Sequence, residues 1–148
     1  MKPRHALLAG LVLLVLFAAA VVLFPDRKTR ALREAPGVDL LFPGGALLDT
    51  TRSRSIFGSG AHVMRVYGTD SPPEPIVAFF DAELGKLGYT PTAPTLDEHF
   101  PAGEHHTIRQ YKNGMFTYRL FLMPPPLRVG GRAITHEYRH LLFARISN

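Results

Sequence analysis

The sequence predicts an α+β protein: an N-terminal transmembrane helix followed by a small antiparallel sheet of about five strands, in the order β-β-α-β-β-β, with one helix packed on one face. Three observations lead there. Residues Ala6–Phe24 form an unbroken run of nineteen that are apolar or glycine. Residues 71–88 place apolar side chains at helical spacing between a start signal and a stop signal. Around that helix, period-2 segments alternate with Gly- and Pro-rich breakers, as strands and turns do.

The apolar run comes first. At about 1.5 Å per residue it nearly matches a hydrocarbon core of roughly 30 Å. Pro25 and Asp26 end it. A cleaved signal peptide is the rival, with Lys2 and Arg4 as a charged start and Ala18-Ala19-Ala20 as small residues. Val21–Phe24 stay apolar where a cleavage region turns polar, so retention as an anchor is expected. The chain then divides into an anchor over 1–25, a charged stem over 26–38 and a domain over 39–148. Localisation in the cell membrane as a single-pass protein follows. The Lys/Arg-rich C-terminal flank favours a cytoplasmic domain by the positive-inside rule. A very short charged tail before a signal-like run favours export, and an extracytoplasmic domain is the expectation.

Charge is uneven along the 148 residues, whose formal total is +5. Residues 1–34 hold six Lys/Arg against Asp26 and Glu34, and the remainder hold eleven against ten acidic residues. The excess flanks the apolar run, where Arg27, Lys28, Arg30 and Arg33 would meet anionic lipid head groups of the bilayer. A nearly neutral domain does not fit nucleic acid, whose binders carry the basic surplus on the domain itself. There is no cysteine, which removes disulfides, thiolate metal sites and cysteine nucleophiles.

Beyond the stem, which Ala35-Pro36-Gly37 closes, Phe42-Pro43-Gly44-Gly45 reads as a turn. Ala46–Arg54 and Ala61–Tyr67 read as strands joined through Gly58-Ser59-Gly60. Ser71-Pro72-Pro73-Glu74 supplies a cap residue, prolines in the first turn and Glu three residues after Ser. Ile76, Phe80, Leu84 and Leu87 then share a helical stripe, and Gly88 ends it as a left-handed residue. Residues 90–104 read as a long loop. His106–Lys112 and Met115–Met123 flank Asn113-Gly114, a hairpin signal, with Phe116, Tyr118, Leu120 and Leu122 on the core face. Pro124-Pro125-Pro126 and Gly130-Gly131 break the chain, and Ala133–Ile146 fits either strand or helix.

Together, Phe42-Pro43-Gly44, Tyr67-Gly68-Thr69-Asp70-Ser71-Pro72, Ile76-Val77 with Phe79-Phe80, and Leu84 with Leu87-Gly88-Tyr89 resemble small uncharacterised domains of bacterial membrane-anchored or exported proteins. The resemblance spans roughly residues 40–125, implies export, and brings no activity or functional residue with it.

His136-Glu137-Tyr138-Arg139-His140 spells H-E-x-x-H, which on a helix binds zinc through two histidines while the Glu activates water. A catalytic zinc needs a third ligand, and the eight residues after His140 contain no His, Asp or Glu. Arg139 also puts a cation beside the metal position. On a strand, His136, Tyr138, His140, Leu142 and Ile146 would share one face, with Glu137 and Arg139 on the other. A second ligand-rich stretch holds Asp97, Glu98, His99, Glu104, His105 and His106, which His136 and His140 could join to hold Zn²⁺ or Cu²⁺. No catalytic or cofactor-binding residue is assigned, and zinc is the one candidate cofactor. The expected function is a non-enzymatic binding or accessory domain, presented by a single-pass membrane protein to an envelope partner through a sheet face or edge. A metal-dependent hydrolase using residues 136–140 and a metal-binding ectodomain using His99, His105 and His106 are the alternatives.

Overall fold

The computed structural model describes residues 10–16, 19, 27–53, 60–93 and 106–148, with the side chain of His106 excepted. Six strands form one antiparallel sheet in the order β1-β2-β8-β5-β4-β3, and β6 pairs with β7 in a separate ribbon. The strands are β1 (Ala46–Ser53), β2 (His62–Thr69), β3 (Thr90–Thr92), β4 (His106–Asn113), β5 (Phe116–Met123), β6 (Leu127–Val129), β7 (Arg132–Ile134) and β8 (His140–Ser147). The labelled helices are α1 (Arg27–Arg33) and α2 (Pro73–Lys86). Residues 10–16 are also helical.

The expected architecture is corrected at its N-terminal part. Among the described residues no helix is long and apolar enough to cross a membrane. The single-pass anchor is overturned, and with it the expected cell-membrane localisation and extracytoplasmic domain. The rest of the 6–24 run, apart from Ala19, lies outside the described residues. Within residues 26–38, Leu32 and Ala35 are buried in the main core, and α1 packs against β2.

The sheet has six strands instead of five. β8 runs between β2 and β5, pairing Val66 with Phe143 on one side and Phe121 with Phe143 on the other. A strand covered on both faces reads as a continuous apolar run, which is why Leu141-Leu142-Phe143-Ala144 showed no decisive period. β3 carries Pro91, a residue that costs least on an outer strand, and it is the sheet edge. β6 and β7 were hidden among breakers. Gly130 and Gly131, at φ 56° and 81°, are the two-residue loop that joins them, the geometry in which a tight hairpin favours glycine at both positions.

One sheet face carries the larger core. Tyr67 of β2, Tyr118, Leu120 and Leu122 of β5, Tyr111 of β4 and Leu142, Ala144 and Ile146 of β8 meet Ile76, Phe80 and Leu84 of α2. Phe42 lies edge-on to Tyr67 and Phe79 and stacks on Phe80. At the start of α2 the cap residue is Pro72, with no side-chain cap bond, so the expected Ser71 cap is absent. Thr69 organises this corner instead: its hydroxyl donates to Gly44 O at 2.7 Å and accepts from Ser71 N–H at 3.1 Å. At the other end Gly88 N–H donates to Gly85 O and Tyr89 N–H to Leu84 O, the paired bonds of a glycine-terminated helix.

The opposite face holds a second core in which the ribbon's Val129 and Ile134 cover Val66, Phe121, Met123, Leu141 and Phe143. Beyond it the face turns polar, with Arg119 Nε donating to Gln110 Oε1 at 2.8 Å and Gln110 Nε2 to Thr92 Oγ1 at 3.1 Å.

Candidate functional site

The H-E-x-x-H string does not lie on a helix. Residues 135–137 form bends, and His140 opens β8 opposite Thr69. His136 is exposed, and Glu137 is bound by Arg132 at 2.7 Å. Tyr138 accounts for the loop's path. Its ring covers Gly68, where a methyl group would meet ring carbons at 2.3 to 2.5 Å. Arg139 N–H donates to Asp70 Oδ1 at 2.8 Å, pinning the other side. Tyr138 therefore joins the second core, whereas Leu142 and Ile146 belong to the first, so the shared face expected of a strand is not formed.

His99 and His105 lie outside the described residues, and His106 opens β4. Among the described residues no group of three or more His, Asp or Glu could hold a metal ion.

A partly enclosed hollow lies elsewhere, where α1 meets the β1–β2 edge. It has a volume of about 550 Å³ and is lined by Thr29, Leu32 and Arg33 of α1, Val38 and Asp39 of the following segment, Arg52 and Ser53 of β1, and Val63 of β2. That volume falls in the range of about 300–1,000 Å³ usual for small-molecule sites. Two other hollows, of about 400 and 430 Å³, are more open to solvent.

The elements that shape this cleft follow from their sequences. α1 presents Thr29 and Leu32 inward, three residues apart on one helical face, and leaves Arg33 exposed at its end. Arg30 and Arg33 occupy the last turn, where the carbonyl end of a helix favours cations. The chain then crosses the sheet through Ala35-Pro36-Gly37, and Gly37 takes a φ of 79° that a side-chain-bearing residue rarely adopts. Tyr89 Oη donates to Pro36 O at 2.8 Å, fixing that crossing to the core.

Beneath the crossing sits Arg65, a charged side chain only 6% exposed on the core face of β2. Its guanidinium donates to Val38 O and, at 3.3 Å, to Asp39 Oδ1. A buried cation must be hydrogen-bonded to be tolerated, and these two bonds hold the 38–39 wall of the cleft in place. Asp39 itself is mostly in water, so its share of the pairing is small.

No family model, curated protein or solved structure matches this chain. The site is therefore read from its own chemistry, and the likeness to exported bacterial domains assigns no family.

Among the described residues that line it there is no histidine and no nucleophile–base pair. Among the described residues the one carboxylate lining the cleft is Asp39, whose exposed side chain lies 3.3 Å from Arg65. What remains is an apolar floor of Leu32, Val38 and Val63 under two arginines and two hydroxyl residues. None of these except Arg33 was singled out from sequence, and Arg33 was given to a lipid surface. One signal was available. Arg65 interrupts the apolar alternation of β2 among Val63, Val66 and Tyr67, and a cation at such a position needs a nearby partner.

Proposed function

We propose that this chain is a non-enzymatic binding module whose ligand seat is the cleft between α1 and the β1–β2 edge. The observation that carries this reading is the enclosure of that cleft by a wall held in place through the buried Arg65. A concave apolar floor with a few polar groups around its rim is the usual form of a small-molecule seat. A metal-dependent hydrolase would need converging ligands, and His136 and His140 have no third ligand beside them among the described residues.

The test is heteronuclear NMR of the ¹⁵N-labelled chain against a library of small polar and apolar fragments. Binding in the cleft concentrates the shift changes on the amides of Leu32, Val38, Arg52 and Val63. Saturable changes confined to the α2 surface or the ribbon, with those four unmoved, would refute the assignment.

A further inference from the structure

We propose that the cleft takes a small amphiphilic anion: a carboxylate or phosphate head between Arg33 and Arg52, on a short apolar body lying over Leu32, Val38 and Val63. This rests on the cleft being the ligand seat and names the chemistry of what fills it.

The lining separates by character. Leu32 and Val63 are buried, and Val38 packs against the same core. Arg33 and Arg52 each bring a positive charge to the cleft, from α1 and from β1. Among the described residues neither has a carboxylate within ion-pair distance. Among the described residues Asp39 is the single acidic residue in the lining, against two arginines, and its exposed carboxylate lies 3.3 Å from Arg65.

Arg33 and Arg52 border one space and carry the same charge, so each disfavours the other there. An oxyanion relieves that repulsion and offers several acceptor oxygens to two forked donors. The helix end accounts for the sign of Arg33 alone. It does not account for Arg52, which comes from a different element and borders the same space. A neutral ligand would leave the repulsion in place, and a cationic one would add to it. A bare inorganic anion would leave the floor of Leu32, Val38 and Val63 wet, and the apolar body follows from that.

The experiment titrates the full-length ¹⁵N-labelled chain with hexyl phosphate, hexanol and inorganic phosphate. Amide and arginine Nε–Hε signals report the site. Hexyl phosphate should shift Leu32, Val38, Arg52 and Val63 saturably and move the side-chain signals of Arg33 and Arg52. It should bind roughly tenfold or more tighter than hexanol, the factor expected of a hydrogen bond to a charged group. The advantage should shrink as salt rises. Arg52→Gln should abolish the preference, bringing hexyl phosphate down to the affinity of hexanol. Arg33→Gln, on a separate element, gives the same readout should the first variant disturb the fold.

Equal affinity for hexyl phosphate and hexanol within the cleft overturns the anion and leaves the seat standing. If no probe moves a cleft amide, the seat fails too. Inorganic phosphate binding as tightly as hexyl phosphate overturns the apolar body. Adsorption to phosphatidylglycerol vesicles with no response to hexyl phosphate overturns the proposal, because the anion would then be met on an open surface.

Discussion

Alkali should unfold this protein in one step between pH 10, the ordinary value of a tyrosine hydroxyl, and about 12, the value to which burial raises Tyr89. Four of the five tyrosines, Tyr67, Tyr89, Tyr111 and Tyr118, lie in the main core and none is more than 3% exposed. Burial is the leading cause of a raised pKa at all four. At Tyr67 the Phe42 amide and Arg65 oppose it. At Tyr111 the Asp81 carboxylate adds to it, with Arg109 opposing. At Tyr118 the neighbouring tyrosines add and Arg65 opposes.

The sign follows from proton counting. Below pH 10 the folded and unfolded chains both keep these protons, so the contribution to stability is complete. Above it the unfolded chain loses them while the folded chain does not, and stability falls as pH rises. A rise from 10 to about 12 at Tyr89 corresponds to on the order of 3 kcal/mol once the pH passes the folded value. With four such groups the loss steepens to at most about 5 kcal/mol per pH unit. Against a usual margin of about 5–15 kcal/mol, that is enough to unfold a small domain within a few pH units.

The chain has no tryptophan, so tyrosinate absorbance at 295 nm reports these groups cleanly. Read beside far-ultraviolet circular dichroism on the same samples, the absorbance should climb in a cooperative step coincident with loss of the sheet signal. Tyr89→Phe should make the pH dependence shallower, by removing one titrating group. A gradual titration of all five tyrosines near pH 10, with the dichroism unchanged, would refute the reasoning.

Three further outcomes are open to denaturant melts. Arg65→Ala should cost about 2–4 kcal/mol, through the lost charged hydrogen bond to Val38 and the space left beneath the crossing, while Asp39→Asn at the exposed partner should change stability by no more than about 0.5 kcal/mol. Equal effects of the two would show that the ion pair, rather than the carbonyl, holds the wall. Gly68→Ala should cost about 1–3 kcal/mol by driving a methyl group into the Tyr138 ring, and Tyr138→Ala in the same chain should remove most of that added cost, a coupling measurable by a double-mutant cycle. Gly88→Ala should cost about 1 kcal/mol from its left-handed backbone, since the nearest atom to an added Cβ, Asn113 Nδ2 at 3.5 Å, is an ordinary contact; no loss would mean that the helix end relaxes freely.

How much of this was readable in advance depended on whether the signal was local. Ile76, Phe80 and Leu84 face a core on one side and water on the other, so their spacing placed α2 without knowledge of its partners. The β4–β5 hairpin was equally local, although its loop is Gly114–Met115. Asn113 stays in the strand and donates its amide to Leu87 O at 3.0 Å, closing the end of α2. β8 was not readable, because its neighbours are separated from it in sequence and both its faces are covered. The ribbon failed for a related reason: Gly130-Gly131 is a breaker in isolation and becomes a turn when Leu127 pairs with Ile134. The membrane expectation rested on the hydropathy of residues 6–24, and among the described residues no helix is long and apolar enough to cross a bilayer. For the site, composition drew attention to histidines, while the cleft is built from arginines and aliphatic residues of no distinctive spacing.

The order of the sheet explains why no single stretch of sequence announces that cleft. Its lining comes from α1, the crossing that follows it, β1 and β2, and these are held together by the end of the chain. Asn148 donates through Nδ2 to Lys28 O of α1 at 2.6 Å, and its Oδ1 accepts from Ala61 N–H at 3.3 Å ahead of β2. Because β8 is central, its last residue emerges beside the base of α1 and not at an outer edge. A seven-residue helix is too short to be stable by itself and takes its position from such contacts. The cleft is therefore a product of the closed sheet: Arg33 and Arg52, from two different elements, line one space whose base is tied to the strand lying between β2 and β5.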